Sequence, residues 1–106
     1  MKEARKAIRF PLAASVVFRW KDDTGADQHG EGLSRDISEL GVFIYASSCP
    51  PLGVRIGLSI SLPESPDTVR PLQMQVDGQV LRVDNSTEAS QPCGFAVLSN
   101  EALLTE

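Results

Sequence analysis

Val54-Arg55-Ile56-Gly57-Leu58-Ser59-Ile60-Ser61-Leu62 alternates without a break, with an apolar side chain at every second position and Arg55, Gly57, Ser59 and Ser61 between them. Successive side chains of a strand point to opposite faces, so this period of two reads as a strand with one buried and one wet face. Pro63-Glu64-Ser65-Pro66-Asp67 closes it, because proline cannot donate to a sheet ladder. On its N-terminal side, Ser47 to Gly53 contains Pro50-Pro51 and is expected to be a loop.

The same period appears on both sides of this stretch. Leu12, Ala14, Val16, Phe18 and Trp20 occupy alternate positions, and Asp22-Asp23-Thr24-Gly25 ends the run with turn chemistry. A second strand is expected from about Gln28 to Ser38, with Leu33 and Ile37 facing inward and Ser34, Asp36 and Ser38 outward. Gly41 closes a tight turn, and Val42-Phe43-Ile44-Tyr45-Ala46 follows as a short apolar strand. Towards the C-terminus, Met74, Val76, Gly78 and Val80 share one face of a long strand over Leu72–Val83. Leu81 and Val83 take the opposite phase, which predicts a bulge near Val80. Asp84 to Gln91 reads as a polar loop and Gly94 to Leu98 as the last strand. Ser99 or Asn100, followed by Glu101-Ala102-Leu103-Leu104, has the form of a capped start of a short C-terminal helix. Six short strands and no long helix point to an all-β fold, and a six-stranded antiparallel β-barrel covers its own edges.

Composition narrows the function classes. At 106 residues and 42% hydrophobic, the chain fits a single packed domain rather than a disordered one. No apolar run approaches the ~20 residues of a membrane-spanning helix, so no membrane insertion is expected. Two cysteines, Cys49 and Cys93, make no disulfide framework, and no Cys/His cluster has metal-ligand spacing. A cytoplasmic, metal-free domain without paired sulfur chemistry is therefore expected, with Cys93 a small core residue. Catalytic motifs are missing: there is no Gly-x-Ser-x-Gly elbow and no phosphate loop, and the lone His29 reads as a surface residue. A non-enzyme is expected. The net charge of −4 argues against a nucleic-acid polymer as partner, as does the placement of the aromatics on core phases.

The charge is unevenly placed. Residues 1–9 carry Lys2, Arg5, Lys6 and Arg9 against Glu3, a net +3 on an otherwise acidic chain. Read alone, this is either a solvated chain end or an arm for a local anionic partner. Arg5-x-x-x-Arg9 offers two planar guanidinium forks, each suited to bidentate phosphate contact and to stacking on a base. Residues 1–11 are accordingly read as a flexible basic arm and 12–106 as a single barrel domain. The second arrangement is Asp36-Ile37-Ser38-Glu39-Leu40-Gly41, whose outward phase sets the Asp36 carboxylate beside the Ser38 hydroxyl. A carboxylate accepts two parallel hydrogen bonds from the N1–H and N2–H groups of guanine, a donor pair that adenine does not present. Gly41 permits positive φ and close backbone approach. The alternative is that Asp36 and Ser38 simply bond the local backbone in a turn.

Arg5-x-x-x-Arg9 followed by Asp36-x-Ser38-x-x-Gly41 resembles the signature of the PilZ domain family. Less specific similarity extends along the chain, in Pro50-Pro51-Leu52-Gly53, in Gly78-Gln79-Val80-Leu81-Arg82 and in Gly94-Phe95. The resemblance implies a six-stranded antiparallel barrel that binds the bacterial second messenger cyclic di-GMP and uses no further cofactor. By position, Arg5 and Arg9 would contact phosphate and guanine, Asp36 and Ser38 would read a guanine edge, and Gly41 would admit the ligand. Arg82 sits where members of the family often place an arginine near the ligand; the other reading of it is a solvated strand-end charge. Ala4, just before the first arginine, leaves the ligand stoichiometry open, and Val97 stands where the family commonly has an aromatic. The resemblance further implies signal output by ordering of the arm and altered contact with a downstream protein. The alternative within the same family is a nucleotide-independent protein-interaction module in pilus or motility regulation.

Overall fold

The computed structural model describes residues 10–11, 13–38, 40–62, 72–84 and 92–105. Seven strands run in chain order: β1 (Phe10–Pro11), β2 (Ser15–Lys21), β3 (Asp27–Ile37), β4 (Gly41–Ala46), β5 (Arg55–Ser61), β6 (Gln73–Asp84) and β7 (Cys93–Thr105). They pair antiparallel in the order β1-β3-β2-β5-β6-β7-β4, and a further β3–β4 pairing closes the ring. The result is a closed six-stranded barrel, β3-β2-β5-β6-β7-β4, with the two-residue β1 laid against the end of β3.

The alternating residues of β2 and β5 point inward as their period demands. Ala14, Val16 and Phe18 meet Ile56, Leu58 and Ile60, joined by Val42, Ile44 and Ala46 of β4, Val76 and Val80 of β6, and Phe95 and Val97 of β7. Phe18 packs edge-on against Phe95 at 5.0 Å and stacks with Trp20 at 5.8 Å. Strands β2 to β7 all feed this one core, β3 through Ile37.

Strand β3 departs from its expected phase. Leu33 is exposed and Ser34 is buried. The inward positions are Gly30, Gly32 and Ser34, and the reason is volume. A Cβ on Gly30 would lie 2.6 Å from Cζ of Phe18, and one on Gly32 would run into the Tyr45 carbonyl oxygen. The large residues of β2 and β4 occupy the space that side chains of β3 would need. The Ser34 hydroxyl accepts a hydrogen bond from the Ala14 N–H at 2.9 Å, so its burial leaves that donor satisfied. A bulge at Arg35 then shifts the register, and Ile37 returns to the core side as expected.

Two further expectations are corrected. No helix occurs among the described residues, and the stretch expected to start one belongs to β7, where Glu101–Thr105 pairs with Asp77–Gln73 of β6. Ladder hydrogen bonds to an existing strand outweigh the weak local signal for a helix. Cys49 and Cys93 form a disulfide across 44 residues, with Cα atoms 6.2 Å apart, tying the loop after β4 to the start of β7. Cys93 is therefore not a core thiol, and the cysteines no longer argue for a reducing compartment. The bulge expected near Val80 is present, with Leu81 as the extra residue between Val80 and Arg82. No helix among the described residues is long and apolar enough to cross a membrane. The loop expected at 63–67, most of that at 84–91, and Leu12 lie outside the described residues.

Candidate functional site

Two bulges build the site. In a regular strand adjacent side chains point to opposite faces, but a bulge breaks that rule locally. At the β3 bulge Ser34 points inward while Arg35 and Asp36 both lie on the outer side, and Arg35 Nε donates to Asp36 Oδ2 at 2.7 Å. At the β6 bulge Val80 points inward, while Leu81 and Arg82 are exposed. Between these two strands lie β4 and β7, and one row of paired residues crosses all four: Asp36, Phe43, Ala96 and Arg82.

Phe43 is the centre of that row. Its neighbours Val42 and Ile44 belong to the core, so its ring lies on the outer wall, yet it is only 5% exposed. Two guanidinium groups cover it, Arg35 at 4.1 Å and Arg82 at 5.6 Å from the ring centroid. Tyr45 packs edge-on at 5.4 Å, and Gly94 provides the floor, where a Cβ would come within 2.6 Å of Cζ of Phe43. Hydrogen bonding to Asp36, then to Tyr45, raises the Arg35 guanidinium above its ordinary value, so Arg35 stays charged. Arg82 Nε also lies 3.4 Å from Asp84 Oδ1, on the solvent side. Planar cations held over an aromatic ring, beside a carboxylate, suit a ligand that is both anionic and planar.

The residues singled out from the sequence are placed as follows. Asp36 lies in the row, with its side chain 20% exposed and one oxygen engaged by Arg35. Arg82 lies in the same row, three strands away, with β4 and β7 between. Ser38 sits in the β3–β4 turn, where its hydroxyl accepts from the N–H groups of Leu40 at 3.2 Å and Gly41 at 3.3 Å. Gly41 does not use positive φ, which among the described residues occurs only at Gly25 and Gly53. Its missing side chain serves packing, since a Cβ would collide with the Val97 carbonyl oxygen of β7. That corrects the reason given for Gly41: the close approach is between two strands. Arg5 and Arg9 lie outside the described residues, as does Ala4. The chain that follows them is described from β1, where Phe10 pairs with Ile37 and Pro11 with Asp36.

Sequence reasoning missed Arg35 and Phe43. Phe43 sits in a run of five apolar residues, so periodicity gives it no face, and Arg35 turns outward only because the register slips beside it. Other concavities lie among the described residues. A groove of about 770 Å³ crosses β2, β5 and β6 past Arg19, Trp20, Gly57 and Asp77, away from the row. An apolar cavity of about 310 Å³ lies at the barrel end beside Ile37 and Ser38. Among the described residues no group of acidic, histidine or cysteine side chains could hold a metal ion.

No protein-family model matches the chain, and no curated protein matches it in sequence. Among solved structures, it is similar to the Bacillus subtilis inhibitor of motility, MotI/DgrA, with a TM-score of 0.66 at 20% sequence identity. The likeness covers 94% of this chain and 44% of that one, so the chain spans less than half of that protein's length. At this identity the similarity establishes the fold.

Proposed function

We propose that the chain is a PilZ-type receptor module that binds cyclic di-GMP and transmits its presence by ordering the N-terminal arm over the barrel's outer wall. The observation that carries this reading is the row Asp36–Phe43–Ala96–Arg82, with the chain that leaves the Arg5/Arg9 arm pairing directly beside Asp36. A carboxylate for a guanine edge and guanidinium groups for phosphate would then converge on one face. Charge is consistent with this: a doubly anionic ligand needs only a few arginines, and the body can remain acidic. Each charge-assisted hydrogen bond contributes roughly 1.5–3 kcal/mol, while a micromolar complex requires only about 8 kcal/mol net. Ordering the arm opposes binding, which makes affinity moderate and sensitive to either arginine.

The module performs no catalysis in this reading. Residues 1–11 are the arm and 12–106 the receptor body, and both work in the cytoplasm, where the messenger is encountered and where Cys49 and Cys93 would be kept as neighbouring thiols. Isothermal titration with cyclic di-GMP should show binding, with little affinity for GTP or cyclic AMP. Arg5→Ala and Arg9→Ala should each weaken it by about tenfold or more, that is by about 1.4 kcal/mol or more. Unchanged affinity in both variants overturns the assignment. A second reading is favoured by the turn bonds of Ser38 and by the neighbour's description as an inhibitor of motility: a nucleotide-independent protein-interaction module acting on motility or pilus assembly. It predicts no heat on titration and a partner recovered without nucleotide.

A further inference from the structure

Arg35 is not part of the motif that suggested the ligand, yet it makes the shortest polar contact to Asp36 described above. An exposed ion pair between adjacent residues ordinarily contributes little, because both side chains keep rotating. This one is different because the arginine is held. Its guanidinium lies 4.1 Å from the Phe43 ring centroid, and Phe43 is itself confined by Gly94, by Tyr45 packed edge-on and by Arg82 at 5.6 Å. The chain of contacts therefore runs from the strand backbone at Gly94, through the ring and the guanidinium, to Oδ2 of Asp36. A carboxylate that accepts two parallel N–H donors must be held in the plane of the base. A carboxylate has room for several acceptor bonds, so one Nε–H donor restrains its orientation without excluding a ligand.

We propose that Arg35, stacked on Phe43, is the positioning residue that orients the Asp36 carboxylate and thereby sets discrimination between guanine and adenine. The inference rests on the cyclic di-GMP reading and adds to it the origin of base specificity. Lysine cannot replace arginine here, since it has neither a flat face for the ring nor an Nε–H beside the carboxylate.

The test compares binding of cyclic di-GMP and cyclic di-AMP by the full chain as wild type, Arg35→Ala, Arg35→Lys and Phe43→Leu, with thermal unfolding recorded for each. Arg35→Ala should reduce the cyclic di-GMP to cyclic di-AMP affinity ratio by about tenfold, equivalent to about 1.4 kcal/mol of lost discrimination. Arg35→Lys should fail to restore it, and Phe43→Leu should lower it in the same direction. A merely structural role would lower both affinities together and leave the ratio unchanged, and Arg35→Lys, which keeps the charge, serves if the alanine variant does not fold. Wild-type discrimination in Arg35→Ala and Arg35→Lys overturns this inference alone. Absence of cyclic di-GMP binding by the wild type overturns the functional reading and this inference with it.

Discussion

The two sides of the barrel are built differently. The β2–β3 and β2–β5 pairings, like β5–β6, run in unbroken register, residue against residue. Every register shift falls on pairings made by β4 or β7: at Arg35 of β3, at Leu81 of β6, and at Asn100 of β7. The regular side uses its side chains to fill the core. The bulged side sacrifices ladder bonds and in return turns Arg35, Asp36 and Arg82 onto one outer surface around Phe43. The difference teaches that, in so small a barrel, the regular wall supplies the packing while the bulged wall gathers charge around an aromatic ring on the outer surface.

The comparison can be sharpened by disturbing each wall in turn. The largest effect is expected on the regular side, from Phe18→Ala, which removes a fully buried ring from between Trp20 and Phe95. Chemical denaturation should show a loss of about 3–5 kcal/mol. A much smaller loss would mean that the regular wall does not dominate stability. Next is the staple on the bulged side. Reduction of the Cys49–Cys93 disulfide by a dithiol releases a loop of 44 residues, and chain entropy assigns such a cross-link about 2–4 kcal/mol. The reduced Cys93 thiol would have an acceptor waiting, since its Sγ lies 3.4 Å from the Ala46 carbonyl oxygen. Amide exchange should accelerate in β4 and the first half of β7 before it does in β2 and β5; uniform acceleration would erase the distinction between the walls.

The smallest effect concerns Asp22, in the turn that joins β2 to β3. Its carboxylate accepts from Thr24 Oγ at 2.7 Å, from the N–H groups of Thr24 and Ala26, and from Gln28 Nε2. The Thr24 hydroxyl bond first, then the Ala26 N–H, lower its pKa from 3.8 to about 2. A depressed carboxylate pKa contributes stability that is complete above the unfolded value and lost as pH falls through the folded one. Asp22→Asn should therefore be slightly less stable than wild type at neutral pH, and the gap should close between pH 3.8 and about 2. Ligand affinity should not change, because this turn belongs to the regular wall.

Legibility in the sequence follows the same division. The Val54–Leu62 alternation and the Ala14–Phe18 phase read correctly because a strand without bulges carries its period unbroken into the structure. Strand β3 misleads because glycine has no hydropathy to declare: Gly30 and Gly32 face inward silently while Leu33 looks like a core residue. The slip at Arg35 then changes parity, so Ile37 is right and Leu33 wrong within one strand. Leu103 and Leu104 are both exposed, so neither helix nor strand phase is visible in them, and only pairing with β6 decides the outcome. The disulfide was equally illegible, since no local pattern links two cysteines so far apart in sequence. Asp36 was singled out through a motif and Arg82 by its position, whereas the placement of Phe43 and Arg35 beside them is visible only in the cross-strand row. The basic arm with Arg5 and Arg9 lies outside the described residues.

Closure of the β3–β4 seam has one last consequence. A hoop of strands hydrogen-bonded all the way round has no slack, because sliding any stave by one position would turn its whole inner lining outward. Among the described residues, the middle of the hoop is packed with phenylalanine and branched aliphatic groups. The ring of Phe43 lies outside that packed interior, on the surface of the cask.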